Sequence, residues 1–202
     1  NIFKSPKKEL AAEREKLDKR WQELAEKESA LKAEKTAADI KRAVTHMSGK
    51  MRVGAGTITT VRELMLASGA GAEFIISPNT DPLIIGQTKQ FGMISIPGAF
   101  TPSEVVAAEQ AGADYVKLFP VSSLGPEYAK SILAPLNGVK LLAVGGVSRE
   151  DTGKHLDAGC VGFGVGGGIA NRKLCEEKRF DEIAMNARLW ADAAGTGENE
   201  RD

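Results

Sequence analysis

Cysteine is scarce in this chain: Cys160 and Cys175 are the only two, with neither CxxC spacing nor a histidine cluster beside them. Neither a disulfide framework nor a metal site is expected, and a reducing cytoplasm is the default compartment. Net charge is missing too, since 27 Lys+Arg balance 27 Asp+Glu. No field is left to recruit nucleic acid or an anionic membrane. Aromatics are sparse at 5%. No apolar run is long enough to cross a bilayer, and no signal-peptide pattern stands at the N-terminus. Asn1 stands where an initiating methionine would, as expected of a processed chain or a piece of a longer one. Residues 1–35 contain no glycine at all.

What those first residues do contain is Lys, Glu, Ala and Leu. Ser5-Pro6 supplies a helix cap and a proline for the first turn, and Leu10, Leu17, Leu24 and Leu31 then recur every seventh residue, with Trp21 between two of them. This is one narrow apolar stripe on a charged helix. The positions that would complete a coiled-coil seam are mostly Arg14, Glu28 and Lys35, so the stripe fits a solvated helix docked by its leucines better than a full zipper. Composition changes near Thr36, where Thr36 and Asp39 imitate a capping box and predict a second helix carrying Ile40, Ala43, Val44 and Met47 to a stop at Ser48-Gly49. His46 reads as structural.

From Met51 onward, short apolar runs alternate with helical stretches that end in glycine. The runs are Met51–Val53, Glu73–Ile76, Met93–Ile96, Tyr115–Phe119, Lys140–Val144 and Gly162–Val165. Their spacing is that of one strand-loop-helix-loop unit, and near-continuous apolar strands fit a parallel sheet covered by helices. Helix starts are legible at Thr101-Pro102-Ser103-Glu104 and Ser148-Arg149-Glu150-Asp151. Six units with no GxGxxG at the first turn point to a barrel rather than an open nucleotide-binding sheet. The expected fold is α/β, an incomplete (β/α) barrel of about six parallel strands behind a long charged helix. Residues 1–35 form the arm, 36–194 the barrel domain, and 195–202 a disordered tail.

Lys117 is out of place inside the strand Tyr115–Phe119, because a buried ammonium needs a partner or must lose its proton. Desolvation lowers a lysine pKa, and a neutral amine is the nucleophile that forms a Schiff base with a carbonyl. Read alone, the run fits better an edge lysine whose stem lies on apolar surface while its head reaches water. The strand ends, where a barrel keeps its chemistry, read Gly54-Ala55-Gly56-Thr57, Ser77-Pro78-Asn79, Pro97-Gly98, Phe119-Pro120, Gly145-Gly146-Val147 and Gly166-Gly167-Gly168. The last two are loops whose bare N–H groups can cradle an anion at the start of a helix; tight turns alone would also call for glycine.

The segments VGAGT (53–57), FIISP (74–78), IPGAFTPSE (96–104), DYVKLFP (114–120), AVGGV (143–147) and GFGVGGG (162–168), in this order and spacing, resemble the 2-keto-3-deoxy-6-phosphogluconate and 4-hydroxy-2-oxoglutarate aldolases. The likeness runs from about Thr36 to Trp190. It implies a homotrimeric (β/α)8 barrel and a class I aldolase acting on a small 2-keto acid, with no metal or other cofactor. By the same likeness Lys117 is the nucleophile, Thr57, Pro78 and Phe119 surround bound pyruvate, and Gly145, Gly146, Gly166 and Gly167 hold phosphate. The family's first strand, first helix and second strand have no counterpart in residues 1–35, so its general-base glutamate and carboxylate-holding arginine cannot be carried over. Gly168 replaces a common serine, and Val144 a common threonine. Two functions follow from this pattern: an aldolase, or a barrel that has lost turnover and uses its helical arm for binding or assembly. Another phosphate-binding barrel, an epimerase or isomerase, fits Lys117 less well. The leucine stripe is expected across the open strand edges or on a neighbouring subunit, with the equal alternative that residues 1–35 are foreign to the fold. Cys160 is expected as packing, Cys175 on a polar helix, His155 on the surface, and 181–190 as a closing amphipathic helix.

Overall fold

A computed structural model describes residues 6–195, with side chains from Arg14 onward. The Ser5 cap, the Leu10 side chain and the tail beyond Gly195 lie outside the described residues. The chain begins with α1 (Pro6–Met47), a single uninterrupted helix of 42 residues. The second start expected at Thr36 is absent: its hydroxyl donates back to the Lys32 carbonyl at 2.9 Å, the bond a threonine makes within a helix. Lys, Glu, Ala and Leu are all good helix formers, and a change of composition among them does not interrupt the backbone. The stop falls where expected, with Gly49 at φ 73 just beyond Met47.

Strands and helices then alternate: β1 (Ala55–Gly56), α2 (Val61–Gly69), β2 (Phe74–Ile76), α3 (Pro82–Gln90), β3 (Ile94–Ile96), β4 (Gly98–Ala99), α4 (Pro102–Gln110), β5 (Val116–Leu118), α5 (Gly125–Leu133), β6 (Leu141–Val144), α6 (Thr152–Asp157), β7 (Gly162–Gly164), α7 (Arg172–Glu176) and α8 (Phe180–Ala193). Capping boxes start α2, from Thr60 and Glu63, and α4, from Thr101 and Glu104. Every strand pair is parallel, in the orders β1-β2-β3 and β4-β5-β6-β7. β3 and β4 are one run divided at Pro97. Before the proline, Ser77 N–H donates to the Ile96 carbonyl at 3.3 Å; after it, Lys117 N–H donates to the Pro97 carbonyl at 2.8 Å. The run therefore pairs with β2 on one side and β5 on the other, at a residue that has no N–H of its own. The first strand lies at Ala55–Gly56 rather than at Met51–Val53, although Val53 still accepts Glu73 N–H at 2.8 Å.

Alternation gives the sheet two faces. Ala55, Ile75, Val116, Leu118, Leu141 and Ala143 are buried under the helices, against Leu64 and Ala67 of α2, Val105 and Ala108 of α4, and Ala129 and Ile132 of α5. Phe74, Ile76, Ile94, Ile96, Lys117, Leu142 and Val144 point the other way and are half-buried. The helix-side core forms two separate clusters, and adjacent residues of α3 divide between them: Ile84 joins the cluster of β1 and β2, Ile85 that of β5 and β6.

Among the described side chains of α1, only those of its C-terminal part dock. Ile40 is buried among Ala55, Ile58, Leu64 and Ile75, Val44 packs beside it, and Glu34 pairs with Arg62 of α2 at 3.2 Å. The leucine stripe does not lie across the open strand edges: Leu17 is 55% exposed, Trp21 69%, Leu24 52% and Leu31 68%. Ile40 follows Leu31 by nine positions, which is about half a turn around the helix axis, so the leucines face away from the domain. His155 also departs from expectation. It is 3% exposed beneath α6, and its Nδ1 finds no partner among the described residues. Cys160 is buried as packing, which pushes its thiol up to about 11. Among the described residues no helix is long and apolar enough to cross a membrane.

Candidate active site

Lys117 occupies the middle of β5, between Gly98 of β4 and Leu142 of β6. Val116 and Leu118 on either side are buried under the helices, so the pleat turns Lys117 to the opposite, apolar face. Its Nζ lies 4.1 Å from the centroid of the Phe119 ring. No carboxylate pairs with it among the described residues. Desolvation by burial holds its pKa below the ordinary lysine range, and no anion raises it again. A lysine kept by an ion pair would hold its proton more tightly; this one is eased toward the free amine.

Because all strands run parallel, Thr57, Pro78, Phe119, Gly145-Gly146 and Gly166-Gly167 leave their strands at the same end of the sheet. Phe119 stands nearest Lys117. Gly145, at φ 89, lies under that ring: a Cβ there would come within 2.7 Å of Phe119 and 3.2 Å of Pro120. Gly146, at φ 85, would meet Ser122 at 2.4 Å, and Ser122 N–H donates to the Gly145 carbonyl at 2.9 Å. Ser122 carries no motif and was invisible in the sequence, yet it fixes this loop against the one that follows Lys117. Pro78 is tied in from the other side, since a Cβ on Gly98 would meet the Pro78 carbonyl oxygen at 2.3 Å. Thr57 stands apart, three strands away at the β1 edge. It holds φ 62, a left-handed conformation that is unfavourable for a β-branched residue. It lines a cavity of about 210 Å³ between α1 and α2, together with Lys32, Thr36 and Ile40.

The two glycine loops differ. Gly145 and Gly146 have steric reasons to be glycine. Gly166 and Gly167 have none, because a Cβ on either meets nothing within 4 Å and neither has a positive φ. The N–H groups of Gly166, Gly167 and Gly168 donate to no acceptor among the described residues. This bare turn therefore presents amide donors to solvent at the end of β7, the arrangement that accommodates an anion. The helices expected to begin directly from these loops start later, at Thr152 and Arg172, and are only 6 and 5 residues long. Any anion here would meet loop amides rather than a helix end.

A family model described as KDPG and KHG aldolase matches residues 23–186, so the likeness begins inside α1 rather than at Thr36. The 2-dehydro-3-deoxy-6-phosphogalactonate aldolase of Escherichia coli (strain K12) is 32% identical over 145 residues, 71% of this chain and 71% of that one. The KHG/KDPG aldolase of the same organism is 32% identical over 164 residues, 78% of this chain and 75% of that one. Among solved structures, a native KDPGal structure matches with a TM-score of 0.70 at 30% identity, covering 77% of this chain and 76% of that one. The 2-keto-3-deoxy-6-phosphogluconate aldolase of Zymomonas mobilis ZM4 shares the fold, with a TM-score of 0.60 at 23% identity and 82% and 74% coverage.

Proposed function

Because the chain belongs to the KDPG and KHG aldolase family, we propose that it is a class I aldolase whose nucleophile is Lys117. The observation that carries this reading is an amine on the apolar face of the sheet, lowered in pKa by desolvation and unpaired with any described carboxylate. The substrate is a 2-keto-3-deoxy-6-phospho sugar acid, cleaved to pyruvate and glyceraldehyde 3-phosphate. The gluconate and galactonate forms are C4 epimers that give the same products. 4-Hydroxy-2-oxoglutarate, cleaved to pyruvate and glyoxylate, fits the same chemistry.

Lys117 attacks the C2 carbonyl and loses water to give an iminium. The C4 hydroxyl gives up its proton, the C3–C4 bond breaks, and its electron pair passes into the iminium, leaving an enamine and releasing the aldehyde. Protonation at C3 and hydrolysis then free pyruvate and restore the amine. Phe119 and Pro78 close around the pyruvyl group, and the phosphate rests on the amides of Gly166 and Gly167, with Gly145 and Gly146 beside it; Thr57, which resemblance places on the same wall, would have to reach it from β1, three strands away. No described side chain is assigned the proton transfers.

Borohydride reduction in the presence of pyruvate is expected to add one reduced pyruvyl group to the wild-type chain and none to Lys117→Ala. A wild-type chain that gains no mass would overturn the assignment. The exposed stripe on α1 favours a second reading, a barrel kept for assembly after turnover was lost. Trapping of pyruvate without aldehyde release from either phospho sugar acid would select it.

A further inference from the structure

We propose that α1 is a self-association element through which two copies of this chain pair antiparallel across residues 17–35. Leu17, Trp21, Leu24 and Leu31 form an apolar stripe on α1, and all four are more than half exposed. They stand on the side of the helix opposite Ile40 and Val44, which dock on the domain, so no part of the described chain covers them. The stripe therefore remains open to a second molecule, and the charges along it select that molecule and its direction.

Leu17, Leu24 and Leu31 fill one core position of a heptad, while Trp21, Glu28 and Lys35 fill the other. A parallel pair in register would stack Glu28 on its mate and Lys35 on its mate, and would set Lys27 against Lys32 of the second copy. Like charges are then repeated along the whole seam. An antiparallel pair centred on Glu26 places Trp21 against Leu31 of the second copy and Leu24 against the stem of its Glu28. On the flanks it sets Arg20 opposite Glu34 and Asp18 opposite Lys32, each twice by symmetry. Ala25 meets Ala25 at the axis, and Lys27 with its mate is the one like-charge contact. Glu34 is suitably poised, since Arg62 takes only its Oε1. Glu15 and Lys19 pair with each other at 3.0 Å and lie outside the seam. The antiparallel arrangement also sets the two domains at opposite ends of the helix pair, whereas a parallel one would crowd them side by side.

Sedimentation of the full chain over a concentration series tests this, and it does not depend on whether Lys117 is catalytic. Leu24→Glu is expected to halve the associated mass. Asp18→Lys is expected to weaken association several-fold, and adding Lys32→Asp to restore it. In a Cys175→Ser background, Ala25→Cys should form an intermolecular disulfide on mild oxidation, as only the antiparallel pair brings the two copies of residue 25 together. Every substituted helix position is exposed, so circular dichroism should show an unchanged fold. An unchanged mass for Leu24→Glu, failure of Lys32→Asp to rescue, or no crosslink at residue 25 would each overturn the proposal.

Discussion

Lys117 loses hydration without gaining a counter-charge, and that has a cost while it keeps its proton. The unfolded chain binds that proton up to the ordinary lysine value of 10.5, and the folded chain releases it at lower pH. Between the two pKa values the unfolded state holds more protons, so this residue's penalty is full at neutral pH and fades as pH rises toward 10.5. Lys117→Met should therefore melt at a higher temperature than wild type at pH 7, with the gap narrowing in alkaline buffers; thermal unfolding across a pH series measures it. Lys117 is legible in the sequence because a charged residue breaks an apolar strand. His155 is not, because a histidine amid charged neighbours looks the same in sequence whether its helix turns it outward or, as here, inward. Thr57 shows in the sequence as a strand end, its pyruvate-site role is given by resemblance alone, and its left-handed backbone leaves no trace in residue type.

The two glycine loops make opposite predictions at the level of elements. Gly145→Ala would place a methyl 2.7 Å from Phe119 in a left-handed backbone, which should cost about 1–3 kcal/mol and displace the ring that borders Lys117. Gly167→Ala meets no atom and no such strain, so its effect on stability should stay within about 0.5 kcal/mol. The same change should raise KM for a phosphorylated substrate far more than for 4-hydroxy-2-oxoglutarate. Paired melting curves and steady-state kinetics separate the two. Elements were readable where side chains carried a period or a cap, as at Thr101 and Glu104 of α4. They are hidden where side chains carry neither: β1 is Ala-Gly, whose strand character comes from pairing with Ile75 and Ile76, and Thr36 resembles a cap while bonding backwards to Lys32.

For the molecule as a whole, α1 belongs to the domain at one end and extends free of it at the other. Ile40→Ala should lower stability by about 2 kcal/mol or more, as for other buried isoleucines, while Leu24→Ala should leave unfolding in dilute solution unchanged. Urea titration of both variants checks this. Six strand positions were countable from spacing, but the direction in which the arm's leucines face depends on which stripe wins the docking contact, and that is decided by the small residues Ala33 and Ala37 beside Ile40. Pro97 has a consequence of its own. The regular ladder changes partners there, and across that point β1 to β3 and β4 to β7 are joined by Ser95, whose carbonyl accepts Asp114 N–H at 3.0 Å and Tyr115 N–H at 3.3 Å, by the Lys117 N–H bond to the Pro97 carbonyl, and by α3, whose Ile84 and Ile85 divide between the two cores. Native-state hydrogen exchange should resolve two cooperative blocks, with the block holding Lys117 retaining its protection after the arm-bearing one has opened.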